Sequence, residues 1–310
     1  MTLYVATQFS DISQQAVATL PPVQLDGGEV LLGVESFALT ANNVTYAATG
    51  HDIGYWRFFP TPIEGTGIVP VWGYAQVTES RADGVEPGTR YYGFLPMAEQ
   101  AVILPDSPRG RTLLDVSPGR VDLAAVYRTY VPVDDADPFR PILQPLIATS
   151  FLIADWLQEN IYFGAQNVIV GSASSKTGLG LAACLSWAEP RPRIIGLTSA
   201  RNVAFCKALG YYDDVITYEA VGDLPLAASV YVDMAGDAGV KRALHTRLGD
   251  HLKHSSAVGL SHWDKFAPPK DLPGPKPQFF FAPAQIAKRR ENWGPGAVEA
   301  KIAEATARVG

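Results

Sequence analysis

The stretch richest in chemistry runs from Val168 to Leu185, VIVGSASSKTGLGLAACL. A short apolar strand, then small hydroxyl-bearing residues, then a helix is a layout that binds the pyrophosphate of a dinucleotide. The unpaired N–H groups of the helix's first turn, and its dipole, favour an anion. Gly171, Gly178 and Gly180 supply backbone freedom or close approach; Ser172, Ser174, Ser175 and Thr177 can add hydroxyl donors, and Lys176 a charge. The GxGxxG spacing is absent, so an ordinary strand-to-helix turn without a ligand has the same outline. An ATP-binding phosphate loop is a weaker match, because Ser175 stands where that motif has Gly directly before the Lys.

The next strand decides which nicotinamide cofactor would fit. NAD sites carry an acid about 20 residues on that binds the ribose hydroxyls and repels a 2′-phosphate. Here the region reads GLTSARNVAFCKALG, with no Asp or Glu between Pro190 and Tyr212. Thr198, Ser199, Arg201 and Asn202 are suited to a phosphate instead, although a polar helix cap with a solvated Arg would look the same. The expected cofactor is therefore NADP(H).

A second group of polar side chains lies in one short N-terminal loop: Asn43, Tyr46, His51 and Tyr55. Reduction of a polarised C=C bond needs a donor at the carbonyl oxygen, where enolate charge develops, and a proton for the α-carbon. These side chains could supply both. Either tyrosine could equally pack its ring and hydrogen-bond water, and His51 reads as a surface residue. No cysteine precedes Cys184, so a thiolate zinc centre is not expected and no metal is implied.

The elements that must hold these groups divide the chain. At 310 residues it is long for one core, and two domains are expected. Short β-branched runs at Glu29–Ala38, Gly67–Glu79, Arg90–Phe94 and Glu99–Leu104 describe a β-rich domain over residues 1–120. After Arg120 helical patterns appear at Asp122–Thr129 and Pro141–Asn160. Strands and helices then alternate: Asn167–Val170, Gly178–Ala188, Arg193–Thr198, Asn202–Leu209, Val215–Thr217, Ser229–Met234, Gly239–Leu248 and Ser255–Gly259. That alternation predicts a doubly wound parallel sheet over residues 121–310, an α/β domain of the Rossmann type. A Pro-rich connector at Ala267–Gln278 leads to a strand-like Phe279–Ala282 and a charged helix from Pro283 onward. Val258–Trp263 follows a late strand of this sheet. The backbone of Gly259 and Leu260 is expected at the nicotinamide carboxamide, with His262 or Trp263 lining the pocket.

Composition narrows the partners. A net charge of −6 offers no basic footprint for nucleic acid or an anionic membrane, so a small-molecule ligand is the expected partner. The two cysteines form no disulfide framework, the first residues lack a secretory pattern, and Pro145–Leu157 is too short for a membrane span. A cytoplasmic protein is expected.

Taken together, the segments resemble the medium-chain dehydrogenase/reductase superfamily, in its zinc-independent quinone oxidoreductase and enoyl reductase branch. VIVGSASSKTGLGLAACL is similar to the family's strand and AxGGVG loop, with Ser175 and Lys176 in place of two central glycines. KALGYYDDVITYE, VYVDMAGD, EVLLGVESFALTANNVTYAATG and GVEPGTRYYGFLPMAEQAVILP resemble further family elements in the same order. The resemblance implies a GroES-like catalytic domain ahead of the Rossmann domain, hydride transfer from NADPH to an activated C=C or quinone, and a homodimer. It also implies that Tyr46 is the active-site tyrosine, with Tyr55 near the enoyl reductases' proton donor. A zinc-free alcohol or carbonyl oxidoreductase and a non-catalytic NADPH-binding sensor are the alternatives.

Overall fold

The computed structural model describes residues 1–106, 112–259 and 271–309. Leu260, His262 and Trp263 lie outside the described residues. The chain divides into two compact units, Met1–Ile142 and Leu143–Gly310.

In the first unit, β1 (Thr2–Gln8) pairs antiparallel with β2 (Gln15–Leu20) and with the short β4 (Thr66–Gly67). The larger sheet adds β3 (Val30–Ala38), β5 (Pro70–Ser80), β6 (Arg90–Pro96), β7 (Gln100–Ile103), β8 (Leu113–Leu114) and β9 (Thr129–Pro132), in the order β7-β3-β5-β6-β9-β8. Register shifts between Leu31 and Leu32 and between Val34 and Ser36 interrupt the β3–β5 ladder. Such irregularities increase twist and let a sheet curl around its inner side chains. Val30, Leu32, Val71, Ala75, Phe94 and Ile103 form the core of that curl. This is the β-rich, GroES-like domain anticipated above.

One boundary needs correction. Residues 121–142 belong to the first unit, and the helix expected over Asp122–Thr129 is only a 3₁₀ turn at Ala125–Tyr127. Tertiary pairing overrides the helical pattern there, because Tyr130 and Thr129 bond to β8 and Val131 and Pro132 to β6. The first unit also contains α1 (Ala41–Ala48) and the single-turn α2 (Gly50–Ile53), which the β-rich reading omits.

Most of α3 (Arg140–Glu159) lies in the second unit, which contains a parallel sheet in the order β12-β11-β10-β13-β14-β15. Its strands are β10 (Asn167–Val170), β11 (Arg193–Thr198), β12 (Asp214–Thr217), β13 (Ser229–Asp233), β14 (Leu252–Ala257) and β15 (Gln278–Phe279). β10 and β13 are buried along their whole lengths, as central strands covered on both faces must be. The connecting helices are α4 (Lys176–Ser186), α5 (Val203–Ala208) and α6 (Ala238–Leu248); α7 (Ala282–Trp293) and α8 (Ala297–Val309) follow. The single expected C-terminal helix is thus two, broken where Gly294 and Gly296 take positive φ of 86° and 77°. Strand order reverses between β10 and β13, the position at which doubly wound sheets bind ligands. Among the described residues, no helix is long and apolar enough to cross a membrane.

The close packing of α4 on α3 rests on a missing side chain. A Cβ on Gly180 would come within 2.7 Å of Ser150 Oγ and 2.8 Å of Ile147 Cδ1. Gly180→Leu is expected to destabilise the protein by about 1–3 kcal/mol through overpacking. Urea unfolding measures this, and an unchanged midpoint would mean that the helices tolerate more room than their separation implies.

Candidate functional site

In the second unit, the candidate site is the turn joining β10 to α4. Gly171 N–H donates to Val232 O at 2.8 Å and Ala173 N–H to Leu197 O at 2.8 Å, so the turn is fastened to the strands on both sides of β10. Ser172 takes a positive φ of 51°, an αL conformation that bends the chain back toward the helix. Tyr212 Oη lies 2.8 Å from Ala173 O and 3.0 Å from Gly178 O, clasping the two ends of the turn. Gly178 has to be glycine on steric grounds, since a Cβ there would fall 2.7 Å from the carbonyl oxygen of Ser172.

Ser175 is the N-cap of α4, and its Oγ accepts from Gly178 N–H at 3.1 Å. Leu179 N–H is taken by Ser175 O at 2.8 Å. The N–H groups of Lys176 and Thr177 are the remaining first-turn donors, and neither has a partner among the described residues. The Lys176 side chain is exposed and makes no ion pair among those residues. The helix therefore starts two residues earlier than its glycines suggest, and SSKT supplies a cap, two backbone donors and a cation.

At the end of β11, Thr198 is buried and donates to Ser174 Oγ at 3.2 Å, and Asn202 Nδ2 donates to the same oxygen at 2.9 Å and to Ser199 Oγ at 3.2 Å. Ser174 and Asn202 thus brace the two loops against each other. Arg201 stands exposed, without an ion pair among the described residues. Tyr218, to which the sequence reading gave no role, reaches the turn as well, with its Oη 3.3 Å from Ser172 Oγ.

Across the reversal point, Asp233 closes β13. Its Oδ1 accepts from Ala235 N–H at 3.2 Å and Gly236 N–H at 2.9 Å, and its Oδ2 lies 3.0 Å from Lys241 Nζ, both side chains being buried. Val258 N–H donates to Asp233 O at 2.9 Å, which leads the chain to Gly259, half-buried just beyond β14.

In the first unit, the hydroxyl-bearing residues gather on an aromatic cluster. Tyr46 projects from α1 and is buried, its ring 4.6 Å from that of Tyr55 and 5.3 Å from that of Phe94. Asn42 Nδ2 donates to Tyr46 Oη at 2.7 Å and Trp72 Nε1 donates to it at 3.1 Å. Tyr55 Oη lies 2.9 Å from Tyr127 Oη. Burial pushes the Tyr46, Tyr55 and Tyr127 hydroxyls well above the usual phenol range, so all three are protonated near neutrality.

Asn43 is occupied differently. Its Oδ1 accepts from Thr40 N–H at 2.7 Å in a capping box, and its Nδ2 donates to Pro70 O at 2.9 Å. The neighbouring Asn42 is the one directed at Tyr46, and its i, i+4 spacing on a helix would have identified it had α1 been foreseen. His51 is exposed, and its ring stands near-perpendicular to that of Phe9, 4.7 Å between centroids. Among the described residues, no group of three or more His, Cys, Asp or Glu is placed to hold a metal ion.

A family model described as "Protein of unknown function (DUF2855)" matches residues 37–309. A comparison with curated proteins finds no match. Solved structures share the fold at low identity. CurA from Vibrio vulnificus in complex with NADPH is 14% identical, with a TM-score of 0.57, covering 94% of this chain and 84% of that one. The quinone oxidoreductase from Coxiella burnetii is 15% identical, TM-score 0.56, covering 99% and 93%. A mutant form of enoyl thioester reductase from Candida tropicalis is 11% identical, TM-score 0.57, covering 99% and 87%. The chain shares its fold, a β-rich GroES-like part followed by a Rossmann-type part, with these structures.

The cap at Ser175 makes a stability prediction that needs no ligand. Ser175→Ala is expected to cost about 1 kcal/mol by freeing Gly178 N–H, whereas Ser175→Asp keeps an acceptor there and stays close to the parent. Chemical denaturation separates the two, and equal loss in both would remove the cap from Ser175.

Proposed function

The chain belongs to the DUF2855 family, and from that premise we propose that it is an NADPH-dependent, metal-independent oxidoreductase that reduces an activated C=C bond or a quinone-type acceptor. The observation that carries this reading is the first turn of α4 at the strand-order reversal. Lys176 and Thr177 present backbone donors, Gly178 lets the turn close against the Ser172 carbonyl oxygen, and no carboxylate stands nearby in sequence. Such a turn suits a pyrophosphate. CurA, of the same fold, is described in complex with NADPH.

Each residue then has a part. Lys176, Thr177 and Gly178, with the Ser172, Ser174 and Ser175 hydroxyls around them, hold the pyrophosphate. Thr198 and Ser199 shape the end of β11, where Arg201 meets the 2′-phosphate with a guanidinium that has no other ion pair among the described residues. Gly259 offers backbone to the carboxamide. Bound NADPH supplies the hydride, and the protein supplies orientation and polarisation. Tyr46, protonated and buried, donates to the acceptor's carbonyl oxygen, where negative charge grows during reduction. Tyr55 is the second hydroxyl at the cluster and the alternative proton source. The sequence supports a metal-free route, since no cysteine lies before Cys184.

A thermal-shift comparison of NADPH with NADH, together with NADPH oxidation across quinones, enones, aldehydes and enoyl thioesters, tests the reading. Larger stabilisation by NADPH is expected, and preference for NADH would sink it. Stabilisation without turnover of any acceptor would favour a cofactor-binding protein that does no chemistry. Arg201→Ala should weaken NADPH by roughly tenfold while leaving NADH nearly unchanged, the scale of one lost charge-assisted contact. Ser175→Asp should fold normally yet bind NADPH poorly, because its carboxylate faces the pyrophosphate. Tyr46→Phe should lower kcat with little effect on cofactor affinity.

A further inference from the structure

We propose that Trp72 and Asn42 are positioning residues for Tyr46, filling both acceptor positions of its hydroxyl so that it can only donate, and does so to the carbonyl oxygen of a bound acceptor. The proposal rests on the reading of Tyr46 given above and extends it to two side chains with no part in that reading.

The argument is a count of hydrogen-bonding capacity. A phenol oxygen offers one proton and accepts about two hydrogen bonds. An indole N–H can only donate, and Trp72 Nε1 stands 3.1 Å from Tyr46 Oη. Asn42 Nδ2 takes the other position at 2.7 Å. The remaining capacity of the hydroxyl is its own proton, and among the described residues no acceptor receives it. In a buried setting an unmet donor is costly, so a ligand that accepts is favoured there. Tyr55 and Tyr127 differ, because their hydroxyls share one hydrogen bond at 2.9 Å and neither accepts from an indole or amide N–H among the described residues.

Geometry holds the arrangement. Asn42 and Tyr46 are one turn apart on α1. Trp72 is brought to them by β5, whose first residue accepts from Asn43 Nδ2 through Pro70 O at 2.9 Å. Trp72 is fixed in turn between the rings of Tyr92, stacked at 5.5 Å, and Phe94, tilted at 5.2 Å. Two donors into one oxygen also favour the phenolate, opposing the effect of burial as charge shifts onto Tyr46 during reduction.

The test is a double-mutant cycle on the full chain, with NADPH oxidation by 9,10-phenanthrenequinone as the activity. Trp72→Phe keeps a ring in the stack and removes the N–H; Asn42→Ala removes the other donor. Each should lower kcat by roughly tenfold or more, the scale of one hydrogen bond to a developing charge, and leave the KM for NADPH in place. In a Tyr46→Phe background neither should lower it further. The same fall in both backgrounds would overturn the proposal.

A second measurement does not depend on turnover. The Trp72 indole N–H resonance is followed by NMR while cyclohex-2-enone is added with NADP⁺ present. The proposal expects the enone to move it in the parent and not in Tyr46→Phe; an indole signal indifferent to the enone in both proteins overturns it. If the parent transfers hydride from NADPH to none of the acceptors, the hydride-transfer reading fails on its own, and the indole measurement still decides the roles of Trp72 and Asn42.

Discussion

The turn between β10 and α4 depends on the absence of a side chain at Gly178. The carbonyl oxygen of Ser172 occupies the space a Cβ would need, 2.7 Å away. Because the helix can come that close, Ser175 caps it, Tyr212 clasps both ends of the turn, and the Lys176 and Thr177 N–H groups are left over. The unpartnered N–H groups at the start of α4 thus follow from one steric allowance rather than from a run of glycines. Ser175 and Lys176, which depart from the AxGGVG pattern, are a cap residue and an exposed first-turn cation in this arrangement.

Around that turn the molecule commits charge sparingly. Asp233 and Lys241 are buried as a pair, which stabilises little overall yet would be expensive to break, since the survivor would be an unpaired buried charge. Their effect is to fix the end of β13, through Ala235 and Gly236, opposite the turn. Lys176 and Arg201 remain in solvent without an ion pair among the described residues.

Legibility in the sequence followed the range of the interactions involved. β10 and β11 were readable to their end residues because a buried parallel strand is a short apolar run between polar stops. The residue 121–142 segment was not, because VDLAAVYRTYVP carries a helical spacing while its fate is set by pairing with β6 and β8. ANNVTYAA lacks an apolar stripe strong enough to announce a helix; the capping box at Thr40 and Asn43 and the tie to Pro70 support it. Tyr46 and Tyr55 could be singled out as chemistry. Trp72 and Tyr127 could not, because their partners lie 26 and 72 residues away and only the fold unites them. Of two adjacent asparagines, the sequence alone favoured Asn43, whose amide serves the backbone, over Asn42, whose amide serves the tyrosine.

The hydroxyl of Tyr46, already accepting from Asn42 and Trp72, makes the first-unit cluster one-directional. It can hold a ketone, a quinone or an enolate, but it has no lone pair free for the proton of an alcohol. A reaction that saturates a C=C bond leaves the carbonyl as it was, and the product is gripped as the reactant was. One that converts C=O to C–OH leaves an oxygen that can still accept from such a tyrosine, but adds a proton for which Tyr46 has no free lone pair. The same oxygen would therefore distinguish the two classes by the extra proton alone, which in an alcohol product has to find its acceptor elsewhere.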